Sequence, residues 1–165
     1  EHKVKPLWMV HLVHHSDHKV DITTSNRHHP LESIIRFTFT LFGVFIVGAP
    51  IAIVFIYQSL SLITSQFIHA NIKISRKVDK LLSYVIISPD MHKIHHHHKL
   101  PYTDANYGNI FSLWDRVFGT YIELDRDKIV FGVDTFPDEA KNSSLIELLK
   151  QPFQGYRKPT GVEKI

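Results

Sequence analysis

Between Arg36 and Lys73 the chain runs for 36 residues, 37–72, without one Lys, Arg, Asp or Glu. A bilayer core of about 30 Å is crossed by about 20 helical residues, so the block is nearly long enough for two crossings. Gly48-Ala49-Pro50 interrupts it, and a proline inside a helix removes a hydrogen bond and clashes with the preceding turn. The expectation is a helical hairpin over about 33–72, with legs near 33–48 and 51–72. At 1.5 Å per residue the first leg spans about 24 Å, short of a full crossing. Arg27 and Arg36 precede the block, Lys73, Arg76, Lys77 and Lys80 follow it, and the turn is uncharged. Because Lys and Arg collect on the cytoplasmic side, both ends of the hairpin are expected to face the cytoplasm. The competing reading is two buried helices of a soluble bundle, but neither leg carries the polar stripe of a soluble amphipathic helix.

The length, 165 residues, suits one domain of ordinary size. With 19 basic and 16 acidic residues the formal charge is +3, which excludes a strongly basic nucleic-acid binder. The chain has no cysteine, so disulfides, thiolate zinc sites, iron–sulfur clusters and thiol nucleophiles are excluded. Its 13 histidines are concentrated: all but His69 fall in the segments 2–29 and 92–98.

Elsewhere the pattern predicts a helix over 7–18, irregular chain over 19–30 and a short apolar element over 81–88 stopped by Pro89. Asp90 is the expected cap of a helix through 91–98, which Pro101 ends. Residues 110–120 form an aromatic-rich packing segment. A polar tail follows, with a strand at 129–133 and a helix near 145–150 opened by the capping-box pair Ser144 and Glu147.

One short pattern recurs, H-x-x-H-H, as His11, His14, His15 and as His92, His95, His96. On a helix, positions i, i+3 and i+4 share a face, so each copy is expected to aim three imidazoles into one small volume. Neutral imidazoles suit zinc, iron or copper. The copies flank the apolar block, and only an even number of crossings brings them to one membrane face. Six ligands exceed what one tetrahedral ion takes, which points to two ions, with further ligands from His2, His69 or the pair His28 and His29. His69 sits in the apolar block, where a polar group is costly unless it is satisfied. His18 is a weaker candidate, and His97 and His98 point off the ligand face. Asp17, Asp21, Glu32 and Asp90 are the nearest carboxylates, and one or two of them are expected to orient ligand rings.

HLVHHSD at 11–17, TTSNRHHPLE at 23–32, FIHANI at 67–72, HKIHHHH at 92–98, NYG at 106–108 and LWDRVFGTY at 113–121 together resemble the fatty acid hydroxylase superfamily, also called the sterol desaturase family. The resemblance runs in order from residue 2 to about 121. It implies an all-α, membrane-embedded oxidoreductase whose histidine-rich dimetal cap, taken as di-iron, lies on the cytosolic face. Residues 1–121 would form that membrane domain and 122–165 a short mixed cytosolic tail. The implied metal ligands are His2, His11, His14, His15, His69, His92, His95 and His96, with His29 and Asn106 in outer positions. The implied chemistry uses dioxygen and two electrons to hydroxylate or desaturate a lipid taken from the bilayer. The electrons would come from a cytochrome-b-type, ferredoxin or reductase partner. The family's first histidine box begins upstream of His2, so the resemblance also implies further sequence, membrane helices and a ligand before residue 1. Trp114, Asp115, Arg116 and Gly119 read as residues that fix the fold. Three alternatives are a pterin-dependent lipid ether monooxygenase of the same family, a non-redox membrane protein holding zinc as carrier or metallohydrolase, and a soluble metal buffer. Metal identity and detergent dependence separate them.

Overall fold

The computed structural model describes residues 1–161 and is helical throughout, with no strand among the described residues. In chain order the helices are α1 (Lys5–His15), α2 (Pro30–Val47), α3 (Ile51–His69), α4 (Arg76–Leu82), α5 (Pro89–His95), α6 (Leu113–Val117), α7 (Glu139–Asn142) and α8 (Leu145–Lys150).

The apolar block folds as the expected pair of helices, and each leg is displaced slightly. The first leg starts at Pro30 rather than 33, because Nδ1 of His29 accepts the Leu31 amide at 3.1 Å and proline is tolerated at the first helical position. It ends where Gly48 takes a left-handed φ of 64°. The legs of 18 and 19 residues are therefore about 27 and 28 Å long. Both are long and apolar enough to cross a membrane. Their apolar side chains face outward: Phe42 is 62%, Phe45 85% and Phe55 66% exposed. A buried pair in a soluble bundle would cover these surfaces, whereas only 6% of each apolar window is buried here.

Two small apolar cores flank a layer of histidines. Trp8, Met9 and Leu12 of α1 pack with Val133, against which Phe136 and Tyr156 lie. Ile68 of α3 packs with Ile87 and Met91, covered by Phe67 and Tyr121. The layer between them is α1 against α3 and α5, the three elements that carry the histidine motifs.

Several local expectations are corrected. The N-cap of α5 is Ser88, whose Oγ accepts from the Met91 amide at 3.3 Å, not Asp90. Asp90 instead pairs with Arg126. Asp79 of α4, buried, accepts from Ser88 Oγ at 2.7 Å and from the Asp90 amide at 3.1 Å, fastening α4 to the start of α5. Removing both bonds with Asp79→Ala is expected to cost about 2 kcal/mol and to lower the thermal midpoint in detergent. The α-helix of α5 stops at His95 and leaves His96 as its C-cap.

The strand expected at 129–133 is reduced to one bridge between His97 and Phe131. Gly132 then turns the chain at φ 98°, and a Cβ there would stand 2.9 Å from the His18 ring. At α8 the Ser144 side chain makes no capping bond, and Glu147 faces Lys150, so that capping box is absent. The irregular stretch after α1 contains a 3₁₀ turn, Ile22–Asn26, closed by a capping box between Asp21 and Thr24.

Asp115 holds the loop after α5. Its carboxylate accepts from the Tyr107 amide at 2.7 Å, the Gly108 amide at 2.9 Å and Thr120 Oγ1 at 2.6 Å. Arg116 lies 4.1 Å over the Tyr121 ring. Trp114 stays exposed, and Gly119 takes a φ of 68°.

Candidate metal centre

Eight histidines gather in the layer between the cores, in two groups of four. His2, His11, His15 and His95 offer donor atoms within 4.8 Å of one another, and so do His14, His69, His92 and His96. The two motif copies are therefore interleaved rather than separate. From each copy the i, i+4 pair enters one group and the middle histidine enters the other. Helix geometry explains this division. Successive residues advance about 100°, so i and i+4 differ by about 40°, whereas i+3 diverges from i+4 by about 100°. One H-x-x-H-H copy thus serves two points in space, not the single volume expected from its sequence.

The second group is tightly drawn. Nε2 of His69 lies 2.9 Å from Nε2 of His92, 3.1 Å from that of His96 and 3.2 Å from that of His14. His96 and His92 are 3.2 Å apart through the same atoms. Nδ1 of His69 donates to the Ser65 carbonyl at 2.7 Å, so in the neutral ring Nε2 carries a lone pair and no proton. That one lone pair can accept only one of the three close contacts as a hydrogen bond, so the others bring nitrogens together without one. A central ion at about 2.0–2.1 Å from each nitrogen would place neighbouring donors about 2.9 Å apart at right angles and about 3.4 Å apart in a tetrahedron. The observed separations lie in that interval.

In the first group Nδ1 of His95 donates to the Ala105 carbonyl at 2.6 Å, and Nδ1 of His11 lies 2.8 Å from Glu32 Oε1. Each bond fixes a tautomer and leaves Nε2 with a lone pair. His15 is fully buried, and neither of its ring nitrogens has a hydrogen-bond partner. Leaving such a group unpaired costs about 1–3 kcal/mol, which a bound cation would remove. The donor set, the spacing and the orphaned nitrogens all fit two borderline transition-metal ions.

Burial also sets the charge state. Desolvation, reinforced by neighbouring rings, holds His2, His14, His15, His92 and His96 well below the ordinary imidazole range. It brings His95 down to about 3, although the Ala105 carbonyl acts in the opposite sense. The neutral form, which binds metals, is thereby the stable one.

The remaining sequence candidates lie outside both groups. His29 caps α2 with Nδ1 and reaches the Leu149 carbonyl with Nε2 at 3.2 Å. Asn106, buried at a positive φ of 53°, donates to the carbonyls of Met91 and Ile122 at 3.0 Å, bracing the back of α5. His18 bonds Asn142, and His97 accepts from the Val130 amide while desolvation takes it down to about 4. Sequence reasoning placed Glu32 only among nearby carboxylates. The signal for its contact is the spacing H-H-P-x-E, which puts it one turn inside α2 beside His28. Tyr107, its ring 5.1 Å from that of His2 and 5.8 Å from that of His95, also stands at the site.

A cavity of about 400 Å³ opens onto both groups and is lined by His2, His14, His69, His92, Arg36 and Asn109. Arg36 and Asn109 also line a second cavity of about 580 Å³, with Leu7, Ile35, Phe37 and Phe39, between the two long helices.

The family model described as fatty acid hydroxylase matches residues 1–120. The chain belongs to the fatty acid hydroxylase family. Among curated relatives of this family member, human alkylglycerol monooxygenase is 25% identical over 134 residues, covering 80% of this chain and 28% of that protein. The zebrafish (Danio rerio) alkylglycerol monooxygenase is 26% identical over 154 residues, covering 92% of this chain and 32% of its own length. Ornithine lipid hydroxylase OlsE of Rhizobium tropici is 22% identical over 120 residues, covering 73% and 35% respectively. The chain thus spans about a third or less of these relatives' lengths. No solved structure matches it. By name the relatives are an alkylglycerol monooxygenase and an ornithine lipid hydroxylase, and the histidine groups of this family member could hold metal ions.

Proposed function

We propose that the protein is a membrane-embedded, dioxygen-dependent lipid monooxygenase whose two histidine groups hold two iron ions. The observation that carries this reading is the interleaving of two imidazole tetrads at one end of a membrane-length helical pair. Iron bound there would supply the oxidant for an unactivated C–H bond, chemistry that no amino-acid side chain offers. His2, His11, His15 and His95 would hold one ion, and His14, His69, His92 and His96 the other.

The chain's own residues orient the centre. Ser65 and Ala105 carbonyls and the Glu32 carboxylate fix three ligand rings. His11, His14, His15, His69, His92, His95 and His96 are buried, so the cavity is the route by which a ligand would reach them. A lipid chain lying between α2 and α3 would reach that mouth past Arg36 and Asn109, so its reacting carbon would arrive from the bilayer. The relatives' names favour hydroxylation of a polar-headgroup lipid, an alkylglycerol or an ornithine lipid, over desaturation. An alkylglycerol-type ether lipid with a pterin as electron donor is the narrower version of this reading. Otherwise the two electrons come from a cytochrome-b-type, ferredoxin or reductase partner. The Lys and Arg residues at both ends of the block support a cytoplasmic site.

Metal analysis of the full-length protein purified from membranes, with dioxygen uptake in the presence of lipid, tests the proposal. Two irons per chain and lipid-dependent uptake are expected. Redox-silent zinc in both positions of an active preparation would overturn it in favour of a metallohydrolase or carrier.

A further inference from the structure

Eight neutral imidazoles around two divalent ions leave four positive charges in a buried layer. Glu32 is the fully buried carboxylate in contact with that layer. Its Oε1 stands 2.8 Å from Nδ1 of His11 and 2.9 Å from Nδ1 of His28, with Arg36 at 3.5 Å. Glu1 approaches the same His11 nitrogen less closely, at 3.4 Å, from a partly exposed position. The second oxygen of Glu32 has no hydrogen-bond partner.

His28 extends the contact to the other group. Its ring stacks on His14 at 4.8 Å and 15°, and its Nε2 bonds the Ser25 carbonyl at 3.1 Å. One carboxylate at the head of α2 thus touches a ligand of the first group directly and reaches a ligand of the second through one stacked ring.

We infer that Glu32 is the positioning residue of the centre, fixing the tautomer of His11 through their hydrogen bond and supplying negative charge that offsets the ions. The inference rests on the metal-centre reading above. It assigns Glu32 no contact with substrate and places its direct effect on the first group. An acceptor bonded to the distal nitrogen of a ligand imidazole raises that ligand's basicity, and its loss typically costs 10–100-fold in metal affinity. Loss of a negative charge beside a redox ion also favours the reduced state.

Glu32→Gln keeps the volume and an acceptor oxygen while removing the charge, so it separates charge from packing; Glu32→Ala removes both. Zinc titration of the full-length protein against a chromophoric chelator, begun from metal-free protein, is expected to show two tight equivalents. In Glu32→Gln one equivalent should weaken about 10–100-fold and the other should hold. In iron-loaded protein the same variant should show a raised reduction potential, which a merely structural role would not produce. Unchanged affinity and potential in Glu32→Gln, or equal weakening of both equivalents in that variant, would overturn the inference. Absence of two equivalents in the unsubstituted protein would instead overturn the metal-centre reading itself.

Discussion

Alanine at His14 is expected to lower lipid oxidation by the full-length protein more than ~100-fold and to remove one of two bound ions, because ligand loss exceeds the usual effect of losing an outer partner. Its Nε2 is 3.2 Å from that of His69, so the vacancy opens in the group that also contains His92 and His96. His95→Ala should give the same loss of turnover while emptying the other position. The two single variants are therefore expected to retain different ions, which metal-specific spectra would distinguish. His98→Ala should stay within about 0.5 kcal/mol of the parent in stability and keep both ions, since that residue lies outside both groups. Full metal content in His14→Ala would refute the assignment, and equal damage from His98→Ala would mean that the site extends beyond the two groups.

An arginine at position 42 is expected to impair membrane insertion strongly. Phe42 lies within α2 and is 62% exposed. In water, replacing an exposed phenylalanine with arginine changes stability within about 0.5 kcal/mol. In the middle of a bilayer a charged side chain costs about 2.5–3.5 kcal/mol on insertion scales, roughly a hundredfold shift toward the uninserted form. The two environments predict effects of different size, readable by alkaline extraction of membranes carrying Phe42→Arg. Because the chain has no cysteine, His18→Cys and Lys99→Cys provide clean single labels on either side of the hairpin. Both should react from the same membrane face; labelling from opposite faces would break the hairpin.

The hairpin was legible because its signals are local. The absence of charge over 37–72 and the Gly48-Ala49-Pro50 turn depend on no distant residue. The eight site histidines were also visible, as the motif spacing and the isolated His69. Their division into two groups was not, because the spacing separates the directions within each copy but does not record that the rings of α1 meet those at the end of α5. Similar reasons account for the local misreadings. Ser88 outcompetes Asp90 as a cap because Asp79, eleven residues back, already bonds the Asp90 amide, while Arg126 draws the Asp90 side chain away. The tail segment 129–133 has strand composition, yet its bridge is a single one, to His97 just past α5, and the chain turns under His18 at Gly132. Glu32 was visible only as one of four nearby acids, of which one or two were expected to orient ligand rings, because burial is decided by what packs over α2.

The family model ends at residue 120, but the polypeptide's folding does not. Val133, Phe136 and Tyr156 roof the outer side of α1, and Arg27 bonds the Asn142 carbonyl across the same surface. A chimera joined at the end of the recognised region would strip this roof from the helix bearing His11, His14 and His15. Grafts between relatives should therefore carry the ending that belongs to each first helix.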